Sequence, residues 1–323
     1  GSWGATMAQV LNDNGHDTLV FDINAQTVAD INNGKHPFIA VPIPGIKATT
    51  DLQTALEFSD FLILAVPTAY MRDVLSKINA LATRKLKFVN ISKGIEPHTL
   101  KRVSEIVKDE ISMEHYQDYA VLTGPSHAEE VVLRKLTLLT AAAENHEFAK
   151  EVQSVFNNDV YLRIYTSDDL IGCEVGGSVK NAIAVVSGVL TGCGLGENAR
   201  AALITRGILE IARIVVYMGG RKETAFGLTG MGDLIVTASS LNSRNFMAGK
   251  RIGEGVPINQ VLAESKMTVE GVRAIYAMHD LSLSCGIELP IISVAYEVVS
   301  EKMSVNEALT KLLSRSLKEE NLD

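Results

Sequence analysis

The sequence predicts two domains: an α/β domain with a doubly wound parallel sheet over residues 1–166, and an all-α domain over residues 167–323. The first prediction follows from apolar, strand-like runs that alternate with helix-like segments through the first half of the chain. The second follows from apolar residues that keep a helical spacing beyond residue 167, without a convincing strand pattern. A length of 323 residues also fits two domains better than one.

Composition limits the classes of partner. Hydrophobic residues make up 46% of the chain, and 30 basic against 38 acidic residues give a net charge of −8. Because the net charge is negative and basic residues do not cluster, we expect no nucleic acid partner. The apolar run 182–190 is far shorter than the ~20 residues of a membrane span, so none is predicted.

Cysteine usage indicates the compartment. Cys173, Cys193 and Cys285 are far apart and odd in number, which favours reduced thiols in a cytoplasmic protein over a disulfide or zinc framework. The histidines show none of the usual metal-site spacings, so no metal is predicted. The N-terminus shows no signal-peptide pattern.

The first element is a helix with Met7, Val10 and Leu11 on its apolar side, followed by a strand that ends in Asp22. This arrangement is similar to the second half of a GxGxxG dinucleotide loop, with Gly1 and Gly4 as its last two glycines and Asp22 as the acid that bonds a ribose 2′-OH. The alternatives stay open that residues 1–2 are a tag remnant and that Asp22 is a solvated strand end.

A Rossmann-like sheet needs a strand immediately before this loop, at its centre. Without it, rows of backbone groups in the middle of the sheet would lack partners. We therefore expect the natural chain to carry a first strand upstream of Gly1 that is missing from the printed sequence.

The remaining elements of the first domain alternate regularly. Helices are predicted over 25–33, 52–58, 68–81, 100–111 and 146–156. Strands are predicted over 46–50, 61–66, 86–91 and 119–123, with 137–142 and 160–165 as edge strands that close the domain.

Ligands of such sheets bind at the carboxyl ends of strands, which draws attention to the segments 66–68, 92–94 and 124–126. Lys93 follows a buried strand and is placed to reach an anion, although without other support a solvent-facing loop lysine is the plainer interpretation. Ser126 and Glu129 have the spacing of a capping box, so Ser126 is a candidate for capping as much as for ligand contact.

Lys180 is the most unusual residue of the second domain. Asp168 and Asp169 can cap the helix that carries it, and its neighbours at three and four residues include Gly176 and Gly177 but no acid. Because each glycine weakens a helix by about 1 kcal/mol, such a stretch indicates that something must approach closely. Either Lys180 meets a ligand, or it is a snorkelling lysine beside a tight helix crossing.

A second dense signal comprises the glycine-rich stretch 227–234 and the triplet Ser243-Arg244-Asn245. Arginine offers a planar set of donors that suits phosphate, and asparagine adds a donor and an acceptor. The plainer alternatives are that Asp233 caps a short helix and that Arg244 forms a surface ion pair.

Together these motifs resemble bacterial-type NAD(P)-dependent glycerol-3-phosphate dehydrogenases over nearly the whole chain. The specific stretches are GSWG at 1–4, SKG at 92–94, GPSHAEE at 124–130, GGSVKN at 176–181, NARAALITRG at 198–207, GMGDL at 230–234, SRN at 243–245 and VEG at 269–271. Several ordered motifs at matching spacing are far more specific than any one of them.

The resemblance implies a role for each matched residue. It implies Lys180 as the catalytic lysine, with Asp233 and Lys93 beside it in the catalytic group. The implied substrate ligands are Lys93, Gly124, Ser126, Lys180, Asn181, Asp233, Ser243, Arg244 and Asn245. The implied cofactor contacts are Gly1, Ser2, Trp3, Gly4, Asp22, Lys93, Ala128, Arg244 and Glu270.

The implied reaction is reversible hydride transfer between NAD(P)H and dihydroxyacetone phosphate, giving sn-glycerol 3-phosphate, without a metal. An ammonium suits it because ketone reduction places negative charge on the oxygen and requires a proton. We expect Lys93 and Arg244 to lower the pKa of Lys180, and Asp233 to oppose that shift. Asp22 favours a ribose 2′-OH over a 2′-phosphate, so NAD is preferred over NADP.

Two departures from the family pattern remain besides the missing strand. Asp22-Ile23 stands where the family often has a small and then a polar or basic residue, and Phe246-Met247 stands where another basic residue is common. The competing hypotheses are a related β-hydroxyacid dehydrogenase, against which the SRN triplet speaks, and a nucleotide-binding sensor without turnover. The family resemblance and the apolar helical domain also predict a homodimer.

Overall fold

A computed structural model describes residues 1–96, 99–265, 269–317 and 319–320. The chain divides into two compact units, the first containing Gly1–Glu96 and Lys101–Leu170 and the second containing Ile171–Asp323. The first unit is α/β and the described part of the second is helical, which confirms the predicted fold class.

The elements of the first unit follow the predicted alternation. Its helices are α1 (Ser2–Asp13), α2 (Ala25–Asn32), α3 (Leu52–Phe58), α4 (Met71–Leu81), α5 (Val103–Glu110), α6 (Ala128–Val131) and α7 (His146–Phe156). Its strands are β1 (Leu19–Phe21), β2 (Lys47–Thr49), β3 (Phe61–Leu64), β4 (Leu86–Asn90), β5 (Tyr116–Thr123), β6 (Thr137–Ala143) and β7 (Leu162–Ser167).

The strands form two sheets. β1 pairs in parallel with β2, and the other five strands have the order β3-β4-β5-β6-β7. Strands β3, β4 and β5 are parallel, with Leu62 opposite Phe88 and Val89 opposite Ala120. Their carboxyl ends therefore lie at the same edge of the sheet, as the doubly wound prediction requires.

Two details of the predicted sheet are wrong. First, β6 runs antiparallel to β5. Second, β6 is an inner strand, so that of the two predicted edge strands only β7 lies at the edge. The connection over residues 124–136 contains only the single helical turn α6, whereas a parallel crossover usually needs a full helix. The inner position of β6 agrees with the complete burial of Ala141, Ala142 and Ala143.

Two predicted helices also begin later than expected. Thr68–Tyr70 is a 3₁₀ turn that precedes α4, so the predicted helix 68–81 has two parts. Leu100 has a left-handed φ of 57°, which is incompatible with an α-helix, and α5 begins at Val103.

The second unit contains a long central helix and eight shorter ones in its described residues. They are α8 (Leu170–Gly192), α9 (Glu197–Tyr217), α10 (Lys222–Ala225), α11 (Asp233–Ser239), α12 (Arg244–Gly253), α13 (Ile258–Glu264), α14 (Glu270–Cys285), α15 (Pro290–Val299) and α16 (Val305–Leu313). A π-helical turn, Leu228–Gly232, leads into α11.

The apolar stretch of α8 is longer than the run 182–190 suggested. The helix has 23 residues and is long and apolar enough to cross a membrane by length and composition, so the argument from length was wrong. However, 89% of its most apolar 18-residue stretch is buried inside the protein. This burial identifies α8 as the core helix of its unit.

Glycines allow α8 and α12 to pack in direct backbone contact. A Cβ atom at Gly188 would lie 2.0 Å from the carbonyl oxygen of Phe246, and one at Gly249 would lie 1.9 Å from that of Val185. Gly192 and Gly253 continue the same contact one turn further along each helix. The glycine content of α8 is therefore explained in large part by helix packing.

Candidate active site

Lys180 lies in the middle of α8 and is buried, with 4% of its surface exposed. Its Nζ donates hydrogen bonds to Oδ1 of Asp233 and to Oγ1 of Thr237, both at 2.5 Å. A snorkelling lysine keeps its ammonium in water, so that interpretation is wrong for Lys180. The carboxylate compensates the buried positive charge, as burial of a charge requires.

The π-helical turn Leu228–Gly232 brings Asp233 to this position. It packs on Gly176, one turn before Lys180, where an added Cβ would lie 3.3 Å from the carbonyl oxygen of Thr229. Gly230 has no room for a side chain either, since its Cβ would lie 2.0 Å from the carbonyl oxygen of Ala225. Such π turns occur frequently at functional sites. The close approach that the glycines of α8 indicated is thus made by this turn at Gly176.

Asp233 is the first residue of α11, and Gly232 is the N-cap, so the capping interpretation of Asp233 is wrong. Thr237 lies one turn further along α11 and donates a hydrogen bond to the backbone oxygen of Asp233 at 2.7 Å. Its hydroxyl can therefore accept the bond from Lys180. The ammonium is held from two sides by one helix.

Sequence reasoning missed Thr237. A signal was available, because Asp233 and Thr237 are four residues apart in a predicted helical run and so share a face. The sequence does not show that this face meets Lys180, because Lys180 lies on a different helix.

The other predicted ligands of the second unit surround the starts of α12 and α14. Asn245 accepts a hydrogen bond from the backbone nitrogen of Gly271 at 2.9 Å. A Cβ at Gly271 would lie 2.4 Å from the backbone oxygen of Asn181, which places Asn181 at the same junction. Glu270 is the first residue of α14 and is half-buried.

Ser243 and Arg244 lie at the beginning of α12. Ser243 is buried and caps the helix by accepting a hydrogen bond from the backbone nitrogen of Phe246 at 3.2 Å. Its hydroxyl retains a proton to donate. Arg244 follows as the first helical residue, and its side chain is exposed.

In the first unit, three predicted substrate ligands meet at one atom. The backbone oxygen of Gly124 accepts hydrogen bonds from Lys93 Nζ at 3.2 Å and from Ser126 Oγ at 3.1 Å. Gly124 has a φ of 146°, and its Cβ would lie 3.1 Å from the backbone oxygen of Leu138, so glycine is required there. The predicted capping box is wrong: the N-cap of α6 is His127, and Ser126 bonds Gly124 instead.

Four of the residues predicted to hold a dinucleotide, Gly1, Ser2, Gly4 and Asp22, lie at the start of α1 or at the end of the following strand. The Asp22 carboxylate is 3.2 Å from the amino-terminal nitrogen of Gly1, and Ser2 Oγ is buried without a hydrogen-bond partner among the described residues. A Cβ at Gly4 would lie 3.0 Å from Ala65, so α1 packs closely against the end of β3. The backbone N–H groups of a helix start, an unsatisfied hydroxyl and an acid at the next strand end fit the phosphates and ribose of a dinucleotide.

Two further predicted cofactor contacts, Trp3 and Ala128, lie on α1 and α6. Trp3 is half-buried and packs against the core cluster that contains Met7 and Val10. Ala128 is the first residue of α6, two positions after Ser126. Within the described ranges, no group of three or more His, Cys, Asp or Glu side chains could hold a metal ion.

Family models match both halves of the chain. The model of the NAD-dependent glycerol-3-phosphate dehydrogenase N-terminus matches residues 1–149, and the model of the corresponding C-terminus matches residues 169–310. The chain is 67% identical over 320 residues to a glycerol-3-phosphate dehydrogenase (NAD(P)+) of Acholeplasma laidlawii, covering 99% of this chain and 97% of the relative.

Relatives with lower sequence identity also match nearly the whole chain. A protein of the same name from Staphylococcus epidermidis is 43% identical over 324 residues, covering 99% of this chain and 97% of the relative. The crystal structure of glycerol-3-phosphate dehydrogenase from Coxiella burnetii superposes with a TM-score of 0.90 at 32% identity, covering 98% of this chain and 97% of that one. This chain therefore belongs to the NAD-dependent glycerol-3-phosphate dehydrogenase family.

Proposed function

We propose that this protein is an NAD(P)-dependent dehydrogenase that reversibly converts dihydroxyacetone phosphate to sn-glycerol 3-phosphate, a precursor of glycerophospholipids. The observation that carries the proposal is the buried Lys180–Asp233 pair in a chain that matches this family over both domains. A buried lysine held by a carboxylate and a hydroxyl is arranged to serve an oxygen that gains negative charge.

The role of Lys180 follows from that geometry. A nicotinamide cofactor held by the residues at the start of α1 would supply or accept the hydride. Lys180 stabilises the charge that develops on the substrate oxygen and gives that oxygen its proton. Asp233 and Thr237 hold Nζ in place, so little reorientation is needed during the reaction. In the oxidative direction the neutral amine takes the hydroxyl proton.

The phosphate of the substrate needs strong donors, and this chain offers them at the start of α12. We assign Arg244 to the phosphate because its planar donor set matches phosphate oxygens, with Ser243, Asn245 and Asn181 as neighbouring polar groups. Lys93, Gly124 and Ser126 are the proposed substrate ligands of the first unit.

We further propose that the cofactor is NAD rather than NADP. Gly1, Ser2, Trp3, Gly4, Lys93, Ala128, Arg244 and Glu270 are the proposed contacts besides Asp22. The Asp22 carboxylate accepts a bond from Asn24 N at 2.9 Å, which restricts its rotation at the end of β1. An acid held there bonds a ribose 2′-OH and repels a 2′-phosphate.

The cofactor proposal is tested by kcat/KM for NADH and NADPH in the wild type and in Asp22→Ser. The wild type should favour NADH, and the variant should shift toward NADPH because the repulsion is removed. Equal or better kcat/KM with NADPH in the wild type would contradict the proposal.

The activity itself is tested by NADH oxidation with dihydroxyacetone phosphate. We expect turnover by the wild type and a loss of at least ~100-fold in Lys180→Met, since a lost acid–base group usually costs that much or more. Lys311→Met is the matched control, because Lys311 is also paired with a carboxylate, Glu297, but is exposed on α16. Reduction of NAD+ by a β-hydroxyacid instead would favour the related enzyme class, and no turnover with either substrate would favour a sensor.

We also propose a homodimer in the cytoplasm. The three free cysteines support the cytoplasm. The homodimer is the expectation from the family resemblance and from the apolar helical second domain.

A further inference from the structure

Lys93 lies on a short loop that follows β4, and the loop is anchored on both sides of the lysine. Its long side chain has four rotatable bonds, so the ammonium reaches a defined position only if the backbone beneath it is fixed. The contacts of residues 90–96 show how this chain fixes it.

The anchor on the N-terminal side is a polar turn built by Asn90 and Ser92. Asn90 is buried, with 1% exposure, and its Oδ1 accepts a bond from Ser92 N while its Nδ2 donates to Ser92 O, both at 3.0 Å. The Ser92 hydroxyl donates to the backbone oxygen of Val66 at 2.7 Å. The loop after β4 is thereby tied to the segment after β3.

The anchor on the C-terminal side is formed by α4 and the turn before it. Gly94 has a φ of 153°, and a Cβ there would lie 2.5 Å from Thr68 Oγ1. Two residues later, the Glu96 carboxylate receives Arg72 Nε at 2.6 Å and a second guanidinium nitrogen at 2.9 Å. A paired guanidinium–carboxylate contact of this kind fixes orientation as well as distance.

We propose that Ser92 is a positioning residue for Lys93. Its hydroxyl lies within hydrogen-bond distance of the backbone oxygens of Val66 and Leu64 and so ties the Lys93 loop to the neighbouring strand end. The Lys93 ammonium, positioned by this loop, meets the Gly124 oxygen. The inference rests on the proposed function for the assignment of Lys93 as a substrate ligand. Ser92 itself contacts backbone and is not assigned to the substrate.

The test is a double-mutant cycle with Ser92→Ala and Lys93→Ala, read as kcat/KM for dihydroxyacetone phosphate. Loss of one positioning hydrogen bond should lower kcat/KM roughly three- to tenfold in Ser92→Ala, chiefly through KM. In the Lys93→Ala background the same substitution should cost less than about twofold, because the residue it positions is gone. An equal loss in both backgrounds would overturn the proposal, as would no loss in the first.

Ser59→Ala is the matched control. Ser59 is a half-buried serine at the opposite end of β3 that accepts a bond from Phe61 N at 3.0 Å. Ser59→Ala also removes a serine hydroxyl, but from a residue outside the Lys93 loop. The kcat/KM of this variant should therefore equal that of the wild type.

A second readout does not depend on turnover. The rate of reductive methylation of Lys93, followed by peptide mass spectrometry, should rise several-fold in Ser92→Ala and stay unchanged in Ser59→Ala. An unchanged rate in Ser92→Ala overturns the positioning role. A raised rate in a protein that shows no turnover supports the positioning role and rejects the dehydrogenase proposal, so the two failures are distinguishable.

Discussion

Lys180 and Asp233 are both charged and both buried, two properties that are compatible only if the charges compensate each other. Both side chains are buried, with side-chain exposures of 5% for Lys180 and 0% for Asp233. Each charge is tolerated there because the other compensates it, and removal of one partner takes that compensating charge away from the other, which stays buried. The same pair therefore contributes to stability and to the proposed chemistry, and mutation can separate the two.

The Lys180→Met variant should lose about 3–5 kcal/mol in free energy of unfolding, since Asp233 then lacks its counter-charge. Lys180→Met combined with Asp233→Asn should recover much of that stability but none of the activity. Urea unfolding of the two variants and the wild type measures this. If Lys180→Met were as stable as the wild type, the ion pair would not be compensating a buried charge.

At the scale of elements, the contact between α8 and α12 depends on glycines. In Gly249→Ala the new Cβ would lie 1.9 Å from the backbone oxygen of Val185, so the helices must separate. We expect a loss of more than about 3 kcal/mol in unfolding free energy, well beyond an ordinary overpacking defect. Thermal unfolding is the measurement. Gly196→Ala is the control, because in the described part of the chain no atom beyond its two chain neighbours lies within 4 Å of its added Cβ. Comparable loss in both variants would contradict the packing argument.

A second element-scale feature joins α9 to α15. Glu210 on α9 is buried and accepts hydrogen bonds from the backbone nitrogens of Ile291 and Ile292, at 2.6 and 3.1 Å. It thereby caps the start of α15. Burial raises the pKa of Glu210 to about 7, although the two N–H donors oppose that shift.

This pKa predicts a direction for stability against pH. Between about pH 4.5 and 7 the unfolded chain is ionised at Glu210 while the folded chain is protonated, so folding takes up a proton. The free energy of unfolding should therefore fall as pH rises through this window, by about 3 kcal/mol for this group, and level off above it. Urea unfolding at several pH values, compared with Glu210→Gln, isolates the effect. Parallel profiles for the two proteins would contradict it.

At the scale of the whole molecule, the net charge of −8 contrasts with the cationic side chains proposed to meet an anionic substrate. In the proposed function, recognition therefore depends on local placement of Lys93, Lys180 and Arg244 rather than on overall attraction. The proposed homodimer belongs to the same scale. Light scattering coupled to size exclusion should give about twice the 34.9 kDa chain mass, and a mass equal to one chain at all concentrations would contradict it.

Much of the fold was predictable because it is encoded locally. The bounds of α3 and α7 agree with the predictions at both ends, since hydrophobic spacing and the capping residues Asp51 and Asn145 act within one helix. The antiparallel β5–β6 pair was not predictable in this way. It depends on how a short connection closes in three dimensions, and hydrophobic spacing alone does not distinguish parallel from antiparallel neighbours.

The sequence by itself determined the α/β and helical halves, the family, and the residue types of the candidate site, because these follow from periodicity and from ordered motifs. Only the tertiary structure decided that Lys180 is buried against Asp233 and Thr237, that the π turn over Gly176 brings them together, and that Ser126 bonds Gly124 rather than capping α6. The physical reason is that each of these contacts depends on the packing of chain segments whose spacing in sequence carries no information about their distance.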